Sequence, residues 1–282
     1  MRWIGYVTLM ICALCLAGEA DAQTKKNSEK SSKKSKTSQK QVDKKAASGI
    51  SIAKGGKMVR PTSNLDPGSV GYYFYPMTPG SYWKTRTVKS LYDLQDSLIA
   101  SDTLFHKETV STNSAPSIQG LPLIKCFSKS FRHGQHEDSA QAQEVAYYVD
   151  DSLIMAVFNN SITHSENVSL LTTPLREGYI WPERFEDTIG TKVISLHESV
   201  VTPAGKFENA VLTSTRLGFG ELSKYFVGGK GIVKMIFRGF ANGGMGKIIV
   251  TTDLMEIHHE LSHMEGSPTD AEPARLDPTM AK

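Results

Sequence analysis

The sequence predicts a mainly β protein, built on a strongly curved antiparallel sheet of half-barrel or barrel-like form, with disordered N-terminal and C-terminal segments. Short runs of β-branched and aromatic residues alternate with turn residues from about Tyr72 to Ile257, which is typical of strands joined by hairpins. No strand–helix–strand alternation interrupts these runs, so a parallel sheet is not indicated. The terminal segments are polar or rich in proline and cannot bury enough apolar surface to offset their ordering entropy.

The individual strands follow from the alternation of apolar and polar residues. It predicts strands at 82–88, 121–132, 143–149, 153–158, 192–201, 207–216, 232–238 and 247–257. Pro203 and Gly205 suit a tight hairpin turn, because proline fixes φ and glycine accepts a positive φ. Val233, Met235 and Phe237 alternate along their strand and therefore share one face of it.

Composition divides the chain into four parts. We expect a signal peptide at 1–22, a Lys/Ser-rich disordered linker at 23–68, an antiparallel β domain at 69–265 and a flexible C-terminal tail at 266–282. Of the three cysteines, Cys12 and Cys15 would leave with the signal peptide, so no internal disulfide can form in the mature chain. The remaining Cys126 lies in an apolar run and is expected to be a buried, unreactive thiol.

The N-terminus has the parts of an export signal. Arg2 gives a positive start, residues 3–18 form an almost uncharged apolar run, and Ala20 and Ala22 supply small residues before a cleavage site. We therefore expect the mature chain to begin at Gln23 and to lie in the periplasm or on the extracellular, outer-envelope surface. An uncleaved anchor is the alternative, although the run is shorter than the roughly 20 residues of a spanning helix.

The predicted linker is strongly basic. Residues 24–45 contain nine lysines and two acidic residues, whereas the whole chain has a net charge of only +3. Such a charge run is either a solvated spacer or a segment attracted to an anionic envelope surface through Lys25 to Lys45. Export and the absence of interleaved aromatic residues argue against a nucleic-acid partner. The oligomeric state has no signature in the sequence.

Three segments resemble a known family. Residues 75–83 resemble the "YPLxxGxxW" opening of uncharacterised exported proteins and lipoproteins of Gram-negative bacteria, 202–209 their "TPAGxFxN" hairpin, and 225–234 their "YYxxGxGxVK" segment. The resemblance implies a secreted or periplasmic curved β-sheet domain, related to the half-barrel in which lipoprotein carriers hold acyl chains. The chain departs from the lipoprotein members because it has no lipidation cysteine at the cleavage site.

The sharpest enzymatic motif is H-E-x-x-H at His259, Glu260 and His263. On a helix, both histidines would bind zinc from one face and Glu260 would activate a water molecule. The segment more naturally ends the final strand, no histidine follows His263, and the motif borders the predicted tail. Solvated surface histidines are therefore the preferred interpretation; no cofactor is expected, and catalytic zinc stays the less favoured alternative.

A curved sheet has a concave face that can hold a ligand when aromatic and aliphatic side chains line it. The expected lining residues are Tyr73, Tyr75, Trp83, Tyr147, Trp181, Val233, Met235 and Phe237. The equally weighted alternative is that these residues fill a closed core. Three functions follow: an exported non-enzymatic protein that binds a lipid or other apolar or amphipathic ligand, a cell-envelope adaptor that uses its lysine-rich tail, and a zinc hydrolase.

Overall fold

The computed structural model describes residues 68–75, 78–111, 117–118, 121–158, 166–184, 190–241 and 246–260. The predicted signal peptide, almost all of the linker, the C-terminal tail and His263 lie outside these residues. In the described part, no helix has the length and hydropathy needed to cross a bilayer.

Almost all regular structure in the described residues is β. A short 3-10 helix (Val70–Tyr73) precedes the first strand, and a second one (Glu137–Ser139) lies in a loop. The strands are β1 (Tyr82–Tyr92), β2 (Leu98–Val110), β3 (Ser117–Ile118), β4 (Leu121–Pro122), β5 (Ile124–Arg132), β6 (Ala142–Val149), β7 (Leu153–Val157), β8 (Val168–Thr172), β9 (Ile180–Pro182), β10 (Gly190–Thr202), β11 (Gly205–Leu217), β12 (Gly220–Val227), β13 (Gly231–Ala241) and β14 (Gly246–His258).

Twelve of these strands form one antiparallel sheet in the order β8-β7-β6-β5-β2-β1-β14-β13-β12-β11-β10-β9. The sheet curls until its two edges meet at a seam between β8 and the end of β9. There the Ser169 N–H donates to the Glu183 carbonyl (2.8 Å) and the Trp181 indole N–H donates to the Ser169 carbonyl (3.2 Å). The result is a nearly closed barrel, and the predicted mainly β, strongly curved antiparallel fold is confirmed.

Each predicted strand overlaps at least one observed strand; the predicted strand at 121–132 is divided between β4 and β5, and the predicted strand at 153–158 ends one residue earlier, at Val157. The β10–β11 turn is the expected tight hairpin, and Gly205 adopts a positive φ of 137°. In the β6–β7 turn, the Asp150 carboxylate accepts hydrogen bonds from the backbone N–H groups of Ser152 (2.8 Å) and Leu153 (2.7 Å). Strands β2, β3, β8, β9 and β12 were not predicted.

The segment before β1 plugs one end of the barrel, which we call the closed end. Val70 N–H donates to the Asp151 carbonyl of the β6–β7 turn (3.0 Å), and Gly229 N–H of the β12–β13 turn donates to the Tyr72 carbonyl (2.6 Å). Tyr75 follows, is buried, and stacks on Trp83 of β1 at 4.1 Å between ring centroids. The opposite end, where the β1–β2, β5–β6 and β11–β12 connections lie, is called the open end.

Candidate functional site inside the barrel

The eight residues predicted to line a ligand site all lie on apolar clusters of the structure. Tyr75, Trp83, Trp181 and Val233 are buried in the main cluster, and Tyr73 and Tyr147 pack against it. Phe237 is buried in a second cluster, against which Met235 packs. The Phe74 ring lies between two of the predicted lining residues, with its centroid 6.2 Å from that of Trp83 and 5.1 Å from that of Tyr147. Ligand contact by these residues stays a prediction.

A polar cluster lies on the inner wall beside this apolar core. Strand register places Glu108 opposite Trp83 and Ser128, and His106 opposite Thr85 and Ser130, so these side chains share the inner face. We call His106, Glu108, Ser128, Ser130 and Tyr147 the inner polar cluster.

The hydrogen bonds of the inner polar cluster form a chain. His106 Nε2 lies 3.0 Å from Glu108 Oε1, and His106 Nδ1 lies 3.0 Å from Ser130 Oγ. Tyr147 donates its hydroxyl hydrogen to Glu108 Oε2 (2.9 Å), and Ser128 Oγ lies 3.1 Å from His106 Nε2. If Glu108 is ionised and His106 neutral, Nε2 donates to Glu108 and Nδ1 accepts from the Ser130 hydroxyl.

Burial and the charge of Glu108 control the acidity of its neighbours. Burial, and then that charge, raise the pKa of the Tyr147 hydroxyl well above its ordinary value. The same two causes, in the same order, raise the pKa of the Cys126 thiol. Cys126 is fully buried, so the prediction of a buried thiol is confirmed, and its chemistry is that of a small apolar side chain.

The inner wall becomes exposed along β2, β5 and β6 toward the open end. His106 and Glu108 are buried, with 6% and 8% of their surface exposed. Ser130, which follows Ser128 on the inner face of β5, is exposed to solvent. Gln143 of β6 is opposite Ser128 in the register, on the same inner face, and is also exposed. The polar wall therefore runs from the buried Glu108 to solvent.

Sequence reasoning missed the inner polar cluster because the pattern of these strands is inverted. Phe105, Phe127 and Phe131 alternate with His106, Ser128 and Ser130, and a strand that packs on an ordinary core would turn the phenylalanines inward. Here they face outward, where Phe105 and Phe131 stack at 5.8 Å and Lys84 lies over both rings. The sequence contains one indication of this cluster, the combination of H-x-E at His106 and Glu108 on β2 with S-x-S at Ser128 and Ser130 on β5.

A second polar feature lies inside the barrel on the other side. Lys224 Nζ of β12 lies 2.5 Å from Glu183 Oε1, just after β9, and the two residues are 0% and 6% exposed. Thr213 of β11 is opposite Lys224, and its buried hydroxyl has no hydrogen-bond partner within the described residues. The interior thus contains ionisable side chains on two walls, that of β2 and that of β9 and β12.

His259 and Glu260 of the H-E-x-x-H motif follow β14 at the closed end of the barrel. Strand β14 ends at His258, and neither His259 nor Glu260 belongs to a helix or a strand. Glu260 N–H donates to Ser81 Oγ (2.9 Å), and the pKa of His259 is lowered by partial burial and then by the charges of Lys230 and His258. Among the described residues, no group of three His, Cys, Asp or Glu side chains could hold a metal ion; His263 lies beyond them.

The fold and its interior define a class, an antiparallel barrel plugged at one end and lined by both apolar and ionisable side chains. No family model and no curated protein matches the sequence. Among solved structures, the chain is similar to a candidate exported protein with a YmcC-like fold from Bacteroides fragilis (12% identity, 66% of this chain and 99% of that one, TM-score 0.39). It is also similar to a candidate lipoprotein from Parabacteroides distasonis (13% identity, 69% and 100%, TM-score 0.38). These values concern the fold alone.

Proposed function

We propose that this protein is an exported binding protein that holds an amphipathic ligand, such as a lipid, inside the barrel. The observation that carries the proposal is the inner wall of β2, β5 and β6, which passes from buried Glu108 to exposed Ser130 within the same face. Ligand sites in proteins combine a mainly apolar lining with a few convergent polar groups. The inner polar cluster would hold the polar part of the ligand.

The apolar part of the ligand would lie against the facing wall. Met235 is half-buried on the inner face of β13, next to the cluster formed by Phe237, Val250 and their neighbours. Methionine adapts its shape to different apolar surfaces. Because Phe237 is only 1% exposed, Met235 is the position of the two that a ligand can reach with the smaller rearrangement.

The test uses two neighbouring positions on β13 that point to opposite faces. Met235 faces inward and Ile236 faces outward, and both are half-buried. We expect Met235→Gln to lose bound lipid and Ile236→Gln to keep it, with similar thermal stability for both variants. The measurement is native mass spectrometry of mature protein gently purified from its own envelope.

The outcomes separate the candidate functions. An added lipid-sized mass in the parent protein and in Ile236→Gln, but not in Met235→Gln, supports the proposal. Equal ligand retention by both variants contradicts a site on the inner face. A bare-chain mass in every sample counts against ligand binding and favours the adaptor, which requires that deletion of 24–45 releases the protein from envelope fractions. One stoichiometric zinc would instead favour the hydrolase.

A further inference from the structure

We propose that Ser130, His106 and Glu108 form an acyl-transfer site that cleaves an ester of an amphipathic ligand. The inference goes beyond ligand binding, because it makes the bound ester a substrate. It rests on the proposed function in one respect, that the acyl chain of the substrate occupies the same interior.

The geometry is that of a nucleophile, a base and a group that orients the base. Ser130 Oγ lies 3.0 Å from His106 Nδ1, and His106 Nε2 lies 3.0 Å from Glu108 Oε1. Both distances are within the range in which a base can take a proton from a serine hydroxyl and a carboxylate can fix the imidazole. Register supports the arrangement, since His106 and Ser130 are directly opposite on β2 and β5.

Exposure differs among the three residues in the way this chemistry requires. Ser130 is exposed on the inner wall, whereas His106 and Glu108 are 6% and 8% exposed. A nucleophile must reach its substrate, while a base and its carboxylate act more strongly where water is excluded. Glu108 is a positioning residue, and the Tyr147 hydroxyl fixes its second oxygen (2.9 Å).

The reaction balances without a cofactor. Ser130 Oγ forms a bond to the ester carbonyl carbon, and its proton passes to His106 Nδ1. The bond between that carbon and the alcohol oxygen breaks, and His106 returns the proton to the leaving alcohol. A water molecule then attacks the acyl-serine by the same route and releases a carboxylic acid and free Ser130.

The developing oxyanion needs a hydrogen-bond donor. Along the paired parts of β2, β5 and β6 the backbone N–H groups are engaged in the sheet, which leaves side chains of the inner face as donors there. Gln143 puts an exposed carboxamide on the same inner face, opposite Ser128. Such an amide can donate to an oxyanion, and we assign this part to Gln143.

The test labels the serine directly. A fluorophosphonate with a short alkyl chain is added to the purified mature chain; the Ser130 Oγ–P bond forms, the P–F bond breaks, and fluoride leaves with the proton. We expect one adduct by intact mass, mapped to Ser130. Ser130→Ala abolishes it, whereas Ser101→Ala, which removes an exposed serine on the outer face of β2, leaves it unchanged.

Two further variants test the roles of the partners. His106→Ala should slow labelling about 100-fold, the usual contribution of a general base, and added imidazole should restore part of the rate. Glu108→Gln should displace the pH–rate profile of labelling, which a purely structural contribution would leave in place.

Absence of an adduct from the folded parent protein, or an adduct that persists in Ser130→Ala, overturns the inference. A bound lipid together with an unreactive Ser130 leaves the binding function standing and removes the catalytic one. Labelling of Ser130 in protein that purifies without any ligand supports the acyl-transfer site and counts against stable cargo binding.

Discussion

Lys224 lies in the interior of the barrel, where it is fully buried. Its ion pair with Glu183 joins β12 to the residues that follow β9. Removing two charges from water costs several kcal/mol, which the attraction between them roughly offsets only while both are present. Either residue without its partner is therefore expected to destabilise the fold strongly.

A pair of substitutions measures this dependence. Lys224→Met should lower the free energy of unfolding by about 3–5 kcal/mol, because it leaves Glu183 buried without a partner. Lys224→Met combined with Glu183→Gln should recover most of that loss. Urea denaturation with an unchanged m-value is the measurement. A single variant within about 1 kcal/mol of the parent would show that the pair exchanges freely with water.

Among the structural elements, the plug and the β12–β13 turn depend on each other. A Cβ atom on Gly231 would lie 2.6 Å from the Tyr75 ring, and one on Gly228 would lie 2.0 Å from the Tyr72 ring. These glycines belong to the segment 225–234 and the tyrosines lie in or next to the segment 75–83, two of the segments that carry the sequence resemblance. Their shared role is to let the plug lie directly on the turn.

Two glycines of this turn provide a matched test. Gly229 and Gly231 both have positive φ, 67° and 75°, but a Cβ on Gly229 would meet no atom within 4 Å. Alanine at either position should lower the free energy of unfolding by about 1–2 kcal/mol, because an L-residue is strained at a positive φ. At position 231 the collision with Tyr75 should lower it by about 1–3 kcal/mol more. Urea denaturation followed by tryptophan fluorescence measures both losses of stability, since Trp83 stacks on Tyr75. Equal losses would mean that the plug does not press on the turn.

At the scale of the whole molecule, the barrel keeps several tyrosines in their neutral form. Burial, and then the charge of Glu108, raise the pKa values of both Tyr75 and Tyr147. Unfolded tyrosine ionises near pH 10. Above that pH the unfolded chain has lost protons that the folded barrel retains, so this contribution to stability is complete below about pH 10 and falls as the pH rises.

Alkaline denaturation tests this linkage. The free energy of unfolding should decrease between about pH 10 and pH 11.5, by up to about 1.4 kcal/mol per pH unit for each such tyrosine. Tyr75→Phe combined with Tyr147→Phe should be less stable at neutral pH but should have a shallower pH slope. Urea midpoints at a series of pH values give both quantities, and an unaltered slope in the double variant would contradict the assignment.

The sequence predicted the barrel better than it predicted its interior. Hairpins such as β10–β11 follow from local alternation and turn chemistry, and Val233, Met235 and Phe237 do share an inner face. The orientation of β2 does not follow, because His106 and Glu108 face inward while Phe105 faces outward, and only the register against β1 and β5 decides this. The ion pair of Lys224 with Glu183 joins residues 41 positions apart, a separation that alternation within a strand cannot reveal.

The plugged end has a consequence for orientation in the cell. Gly68 precedes the plug, and β14 ends with His258 at the same end, so the chain enters and leaves the described barrel at the end opposite to the open end. An attachment made through either flank would hold the molecule with its mouth turned away from the surface that retains it. If the barrel holds a ligand as proposed, that ligand would enter and leave on the side away from the attachment.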